Sequence, residues 1–157
     1  MISVLFVCLG NICRSPMAEA LFRHKLEQHG LIDRIEVDSA GTGGWHVGEP
    51  PHKGTQKILS QNGVSCKGMT ARLLTSQDLK DFDYIIAMDE SNLNNILKLS
   101  DGRKKVYRLL DFLENQPVRD VPDPYYTDNF DEVYRLVNAA TEELLRFISD
   151  ENNLTLH

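Results

Sequence analysis

Hydrophobic residues fall into two patterns along this chain, short continuous runs and longer stripes at helical spacing, and the two alternate. Residues 2–8, Ile-Ser-Val-Leu-Phe-Val-Cys, make a nearly unbroken apolar and β-branched stretch, the pattern of a strand buried on both faces. Ser15-Pro16 then supplies a helix start, with Glu19 in the first turn. Met17, Ala18, Leu21, Phe22 and Leu26 give that helix an apolar face, ending near Gly30. Ile35-Glu36-Val37-Asp38 predicts a second short strand, running into a glycine-rich turn over residues 41–48. A helix is expected over residues 52–62, a buried strand over 82–88, a helix over 90–99 and a last strand over 105–109. After a proline-punctuated loop at 117–124, Val133, Leu136, Val137, Ala140, Leu144 and Phe147 predict a long amphipathic helix over 130–149. Such alternation specifies an α/β fold, a parallel sheet covered by helices, with the working site at the strands' C-terminal ends. No repeat, low-complexity tract or linker divides residues 1–157, so one domain is expected.

Composition narrows the function. A net charge of −6 argues against a general nucleic-acid binder, which needs a basic face. The apolar start lacks a basic leader and is broken by Gly10 and Asn11, unlike a signal peptide. No stretch is long enough to span a membrane. Three cysteines, an odd number, do not make a disulfide framework and point to a reducing cytoplasm, although export without a leader is compatible with the same features. A monomer without nucleic-acid or membrane partners is expected.

The chemistry concentrates between the first strand and the first helix, at Cys8-Leu9-Gly10-Asn11-Ile12-Cys13-Arg14-Ser15. A loop entering a helix N-terminus presents unpaired N–H groups and the positive end of the dipole to an anion. Gly10 can take the tight angles of such a cradle, and Asn11 tolerates the left-handed region. The same field favours a thiolate at Cys8. Arg14 can grip two phosphoryl oxygens with its planar fork and stabilise them in the transition state. Ser15 is positioned either to donate to the sulfur or to cap the helix. Read singly, Cys8 is a small buried hydrophobe and Arg14 a surface charge; the strand–loop–helix setting favours the anion site. No glycine-lysine-serine/threonine follows, so the loop is not a Walker A motif.

Expelling an alcohol from a phosphate ester also needs a proton donor. Asp120, Asp123 and Asp128 share one loop, and Asp123 stands between Pro122 and Pro124, which restrict its backbone. Chemistry alone does not choose between Asp120 and Asp123. Tyr125 and Tyr126 are candidate walls for an aromatic substrate, with Trp45 as a second wall.

The segment Val4-Leu5-Phe6-Val7-Cys8-Leu9-Gly10-Asn11-Ile12-Cys13-Arg14-Ser15-Pro16-Met17-Ala18-Glu19-Ala20 closely resembles the start of low-molecular-weight protein tyrosine phosphatases. Asp38-Ser39-Ala40-Gly41-Thr42, the run from Phe82 to Asn92, and Asp123-Pro124-Tyr125-Tyr126 match the same family in order. The resemblance implies a single domain with a four-stranded parallel sheet flanked by helices on both faces. It also implies a metal-free, cofactor-free hydrolysis of phosphotyrosine in proteins or peptides through a phosphocysteine. In that scheme Cys8 is the nucleophile, Arg14 the clamp, and Asp123 the general acid and then base. Leu9, Gly10, Asn11, Ile12, Cys13 and Ser15 form the substrate cradle, and Ser39 braces Asn11 from below. Relatives on this scaffold that act on phosphoarginine typically carry threonine where this chain has Ile12, which favours the tyrosine branch. Arsenate reductases share the loop but use two further cysteines, and only Cys66 lies downstream.

Cys13 beside a reactive Cys8 suggests a reversible disulfide as readily as simple packing. His24, His29, His46, His52 and His157 make no metal-ligand spacing with the cysteines, so no metal is expected, and His46 and His52 read as solvated loop residues. Arg103-Lys104-Lys105 reads as a solvated basic run.

Overall fold

The computed structural model describes residues 1–99, 105–114 and 117–156; Arg103, Lys104 and His157 lie outside them. In chain order the elements are β1 (Ile2–Cys8), α1 (Arg14–Gln28), β2 (Ile35–Gly41), α2 (Lys53–Gln61), α3 (Ser76–Asp81), β3 (Tyr84–Ala87), α4 (Glu90–Leu99), β4 (Lys105–Arg108), a 3-10 turn (Leu109–Phe112), α5 (Pro124–Thr127) and α6 (Phe130–Glu151). The strands form one parallel sheet in the order β2-β1-β3-β4.

The unbroken apolar run of β1 follows from its central place. Val4 and Phe6 face one core with Met17, Leu21 and Phe22 of α1 and Val137 and Leu144 of α6. Leu5 and Val7 face a second core with Leu79 of α3 and Ile96 of α4. Both faces are dry, so both parities of the strand are apolar except at Ser3, whose buried hydroxyl is paired with Asp83. Helix α1 lies between the sheet and α2 and α6. That sandwiching buries Ser15, Glu19 and Lys25 as well as its apolar stripe.

The chain leaves β1 for β2 on one side and returns to β3 on the other, so a crevice opens where β1 and β3 end. Cys8 is the last residue of β1. At the end of β3, Met88 N–H donates to Val7 O (3.1 Å) and Val121 N–H to Met88 O (2.9 Å), which brings the 117–124 loop over the same crevice.

Three differences from the sequence reading have local causes. Helix α3 has only six residues, too few for a periodic stripe, and is held by a capping box in which Thr75 and Asp78 satisfy each other's backbone N–H groups. Phe82 ends that helix, so β3 starts at Tyr84 rather than 82. Strand β2 continues to Gly41 because Asp38, Ser39 and Ala40 pair in register with Leu5, Phe6 and Val7.

Candidate active site

The 8–15 loop wraps the end of β1 and enters α1 at Arg14, one residue earlier than the Ser15-Pro16 start expected from sequence. The left-handed residue in it is Asn11, with φ 58°. Gly10 has no positive φ; it is needed instead for close approach, since a Cβ there would stand 3.1 Å from the His46 ring. The floor is equally tight at Gly41, where a Cβ would meet Leu9 O at 2.8 Å and Asn11 Cβ at 3.1 Å.

Asn11 organises the sulfur. Its backbone N–H donates to Cys8 Sγ (3.3 Å). Arg72 N–H donates to Asn11 Oδ1 (2.9 Å), which fixes the amide so that Nδ2 donates to Ser15 Oγ (2.8 Å) and Ser39 Oγ (3.0 Å). Ser15 Oγ, which accepts from Asn11, lies within hydrogen-bond distance of Cys8 Sγ at 3.0 Å. Ser15 therefore serves the sulfur and makes no cap, and Ser39 stands under Asn11.

Arg14 is 2% exposed. Its Nη1 donates to Asp89 Oδ2 (2.5 Å) and Val121 O (3.0 Å), and its Nη2 faces Asp123 Oδ2 at 3.3 Å. Burial opposes its charge, but Cys8, Asp89 and Asp123 outweigh it and raise the guanidinium pKa above its ordinary value. Asp89 also accepts from Asn92 N–H (2.7 Å), fixing the anchor to the start of α4. Asp123 caps α5 through Oδ1, which accepts from Tyr125 N–H (3.1 Å). Of the three loop carboxylates, Asp123 is the one that faces Arg14. Asp120 accepts from Glu90 N–H (3.0 Å) and pairs with Arg108 (3.5 Å), and Asp128 is the left-handed cap of α5.

A cleft of about 360 Å³ opens above this floor. Cys8, Cys13 and Arg14 line its base with Leu9, Gly10 and Ile12, and Asp123, Trp45, Tyr125 and Tyr126 line its sides. Asn11 and Ser15 are buried below and do not line it. Trp45 and Tyr126 are 71% and 75% exposed, so the mouth has aromatic walls free to meet a flat ring. Burial first, then the charges of Cys8 and Asp123, push the Cys13 thiol up to about 12, so it stays protonated at neutral pH.

His46, read from sequence as a solvated residue, also lines the cleft, packed on Tyr125 (5.9 Å between ring centres) and hydrogen-bonded to Glu49 (3.2 Å). No sequence pattern links positions 10 and 46. His52 instead caps α2 and stacks on Phe130 at 5.2 Å. Among the described residues no group of histidine, cysteine and carboxylate side chains is arranged to hold a metal ion.

Comparison with known proteins agrees over the whole fold. The profile of the low molecular weight phosphotyrosine protein phosphatase family matches residues 3–154. The low molecular weight protein-tyrosine-phosphatase YfkJ of Bacillus subtilis is 54% identical over 156 residues, 98% of this chain and 100% of that protein. Its crystal structure superposes with a TM-score of 0.95, covering 96% of each chain. PtpA of Staphylococcus saprophyticus, named likewise, is 52% identical over 155 residues, 98% of each. A crystal structure of a Drosophila arginine phosphatase is 35% identical, with a TM-score of 0.85 over 92% of this chain and 96% of that one. The chain belongs to the low molecular weight protein-tyrosine-phosphatase family.

Proposed function

We propose that this protein hydrolyses phosphotyrosine in proteins or peptides, in two metal-free steps, with Cys8 as nucleophile. The reading is carried by one observation: the Cys8 sulfur accepts from Asn11 N–H and is hydrogen-bonded to Ser15 at the base of a cleft where Arg14 faces Asp123. In the first step the thiolate attacks phosphorus, an S–P bond forms, and the P–O bond to tyrosine breaks. Asp123 gives its proton to the departing phenolic oxygen. Arg14 and the loop N–H groups hold the equatorial oxygens, where charge is concentrated in the transition state. In the second step water attacks phosphorus, Asp123 takes its proton, the S–P bond breaks, and phosphate leaves.

The aromatic mouth suits a phenyl ring, and Ile12 in the cleft adds apolar bulk beside it. The three cysteines are free thiols, in keeping with action in a reducing cytoplasm. Hydrolysis of p-nitrophenyl phosphate and phosphotyrosine peptides with a chelator present tests the proposal. Activity is expected in the parent chain and absent in Cys8→Ser, while residual hydrolysis by that variant overturns the mechanism. A phosphoarginine peptide is the matched control, because the Drosophila neighbour bears that activity in its name. Faster turnover of phosphoarginine than of phosphotyrosine would reassign the substrate.

A further inference from the structure

Below the phosphate loop the hydrogen-bond chain continues past the residues considered so far. Ser39 Oγ accepts from Asn11 and donates to Glu19 Oε1 at 2.6 Å. Glu19 is 6% exposed, and its other oxygen accepts from Arg23 one helical turn later. Arg23 is held in turn by Val37 O (3.1 Å) of β2. An unbroken path thus joins the Arg23–Glu19 pair to the sulfur through Ser39, Asn11 and Ser15.

We infer that Arg23 and Glu19 are positioning residues that keep the Cys8 sulfur ionised by holding Ser39, and through it the left-handed Asn11, in place. The inference rests on the reading of Cys8 as nucleophile. Its logic is one of donors and acceptors. Asn11 Nδ2 can only donate, so Ser39 has a donor on one side and needs an acceptor on the other for its own proton. A carboxylate at position 19 is such an acceptor whichever way it turns. Its charge, buried in α1, is tolerable because Arg23 neutralises it. Without that anchor Asn11 keeps only its bonds to Arg72 N–H, Ser15 and the sulfur, and its left-handed conformation, unfavourable for a residue with a Cβ, is held less firmly. Both hydrogen bonds of the sulfur depend on Asn11, one directly and one by holding Ser15 Oγ in place.

Arg14, Cys13, His46 and Asp123 surround the sulfur from α1, the loop and the cleft walls. Beside Glu19 and Arg23 lie Asp38, Lys67 and Arg72, of which Arg72 is held by Asp38 and Asp78.

The test is the pH dependence of Cys8 alkylation by iodoacetamide in the full chain, with the modified residue located by mass spectrometry. It reads the sulfur without requiring turnover. Arg23→Met keeps most of the stem and leaves Glu19 uncompensated. The alkylation midpoint is expected to rise by about one pH unit, a tenfold loss of rate on the acid side. Glu19→Gln should shift it in the same direction. With Arg23 present the amide oxygen turns to the guanidinium and the NH2 to Ser39, leaving the Ser39 proton without an acceptor. The double variant Glu19→Gln/Arg23→Met frees the amide to turn its oxygen back to Ser39. Its midpoint should therefore lie nearer the parent than that of Glu19→Gln alone. A merely structural role predicts the reverse, additive losses of melting temperature with no movement of the midpoint.

Unchanged midpoints in both single variants, or a double variant worse than either, would overturn the inference. Shifted midpoints in a chain that hydrolyses no phosphotyrosine would support it and reject the proposed function instead.

Discussion

Asp123 divides its two oxygens between different tasks, Oδ1 capping α5 and Oδ2 facing Arg14. Asparagine caps a helix about as well as aspartate but carries no acidic proton. Asp123→Asn is therefore expected to keep the α5 cap and lose only the charge facing Arg14, a small drop in melting temperature, while kcat for phosphotyrosine peptides falls by about 10²–10⁴-fold. Steady-state kinetics and a thermal melt on one preparation check both halves. A second expectation concerns the thiols. Cys13, pushed up to about 12, stays protonated through the neutral range, and burial also raises Cys66. Peptide mapping after brief iodoacetamide treatment at pH 7 should find the label on Cys8 and not on Cys13. At this scale the sequence was legible where chemistry is contiguous. Cys8, Arg14 and the Asn11 conformation lie within eight residues of one another. His46 flanks the active face in sequence but reads there as a solvated loop histidine, because its approach to Gly10 is made only by the folded backbone, and Glu19 reads as an ordinary first-turn carboxylate.

At the scale of elements, the turn before α3 shows how side chains hold what periodicity cannot. Asp78 accepts two bonds from the Arg72 guanidinium (2.9 and 3.1 Å) and one from Thr75 N–H (2.8 Å). Burial alone would raise its pKa, but these bonds prevail and hold it below the ordinary 3.8. A depressed folded-state pKa contributes stability that is complete above the unfolded value and disappears as pH falls through the folded one. Asp78→Asn should thus cost about 1–3 kcal/mol at pH 7, and the gap to the parent should close in strong acid. Urea titrations at several pH values measure it. The long strands and helices were readable from their apolar spacing. Helices α3 and α5, of six and four residues, were not, because a single turn has no repeat to detect and is specified by its caps.

The whole molecule is organised around β1, with a separate core on each face of the sheet. Alternating strand and helix signals were enough to specify a parallel sheet. The order β2-β1-β3-β4 was not visible from them, since nothing in a local pattern says which neighbour a strand will take. The core below β1 depends on Phe22, which is fully buried and meets Phe6 edge-on at 5.6 Å between ring centres. Phe22→Ala should destabilise the fold by about 3–5 kcal/mol, read as a lower urea midpoint. Unlike Asp123→Asn, it acts on all parts of the molecule together.

The Arg14 side chain finds its partners 75, 107 and 109 positions further along the chain. During synthesis, then, the thiol leaves the ribosome long before the carboxylate and carbonyl that orient its guanidinium neighbour. A nascent polypeptide carries the sulfur early but can complete the arrangement around Arg14 only when Val121 and Asp123 have emerged, so the order of translation delays its assembly.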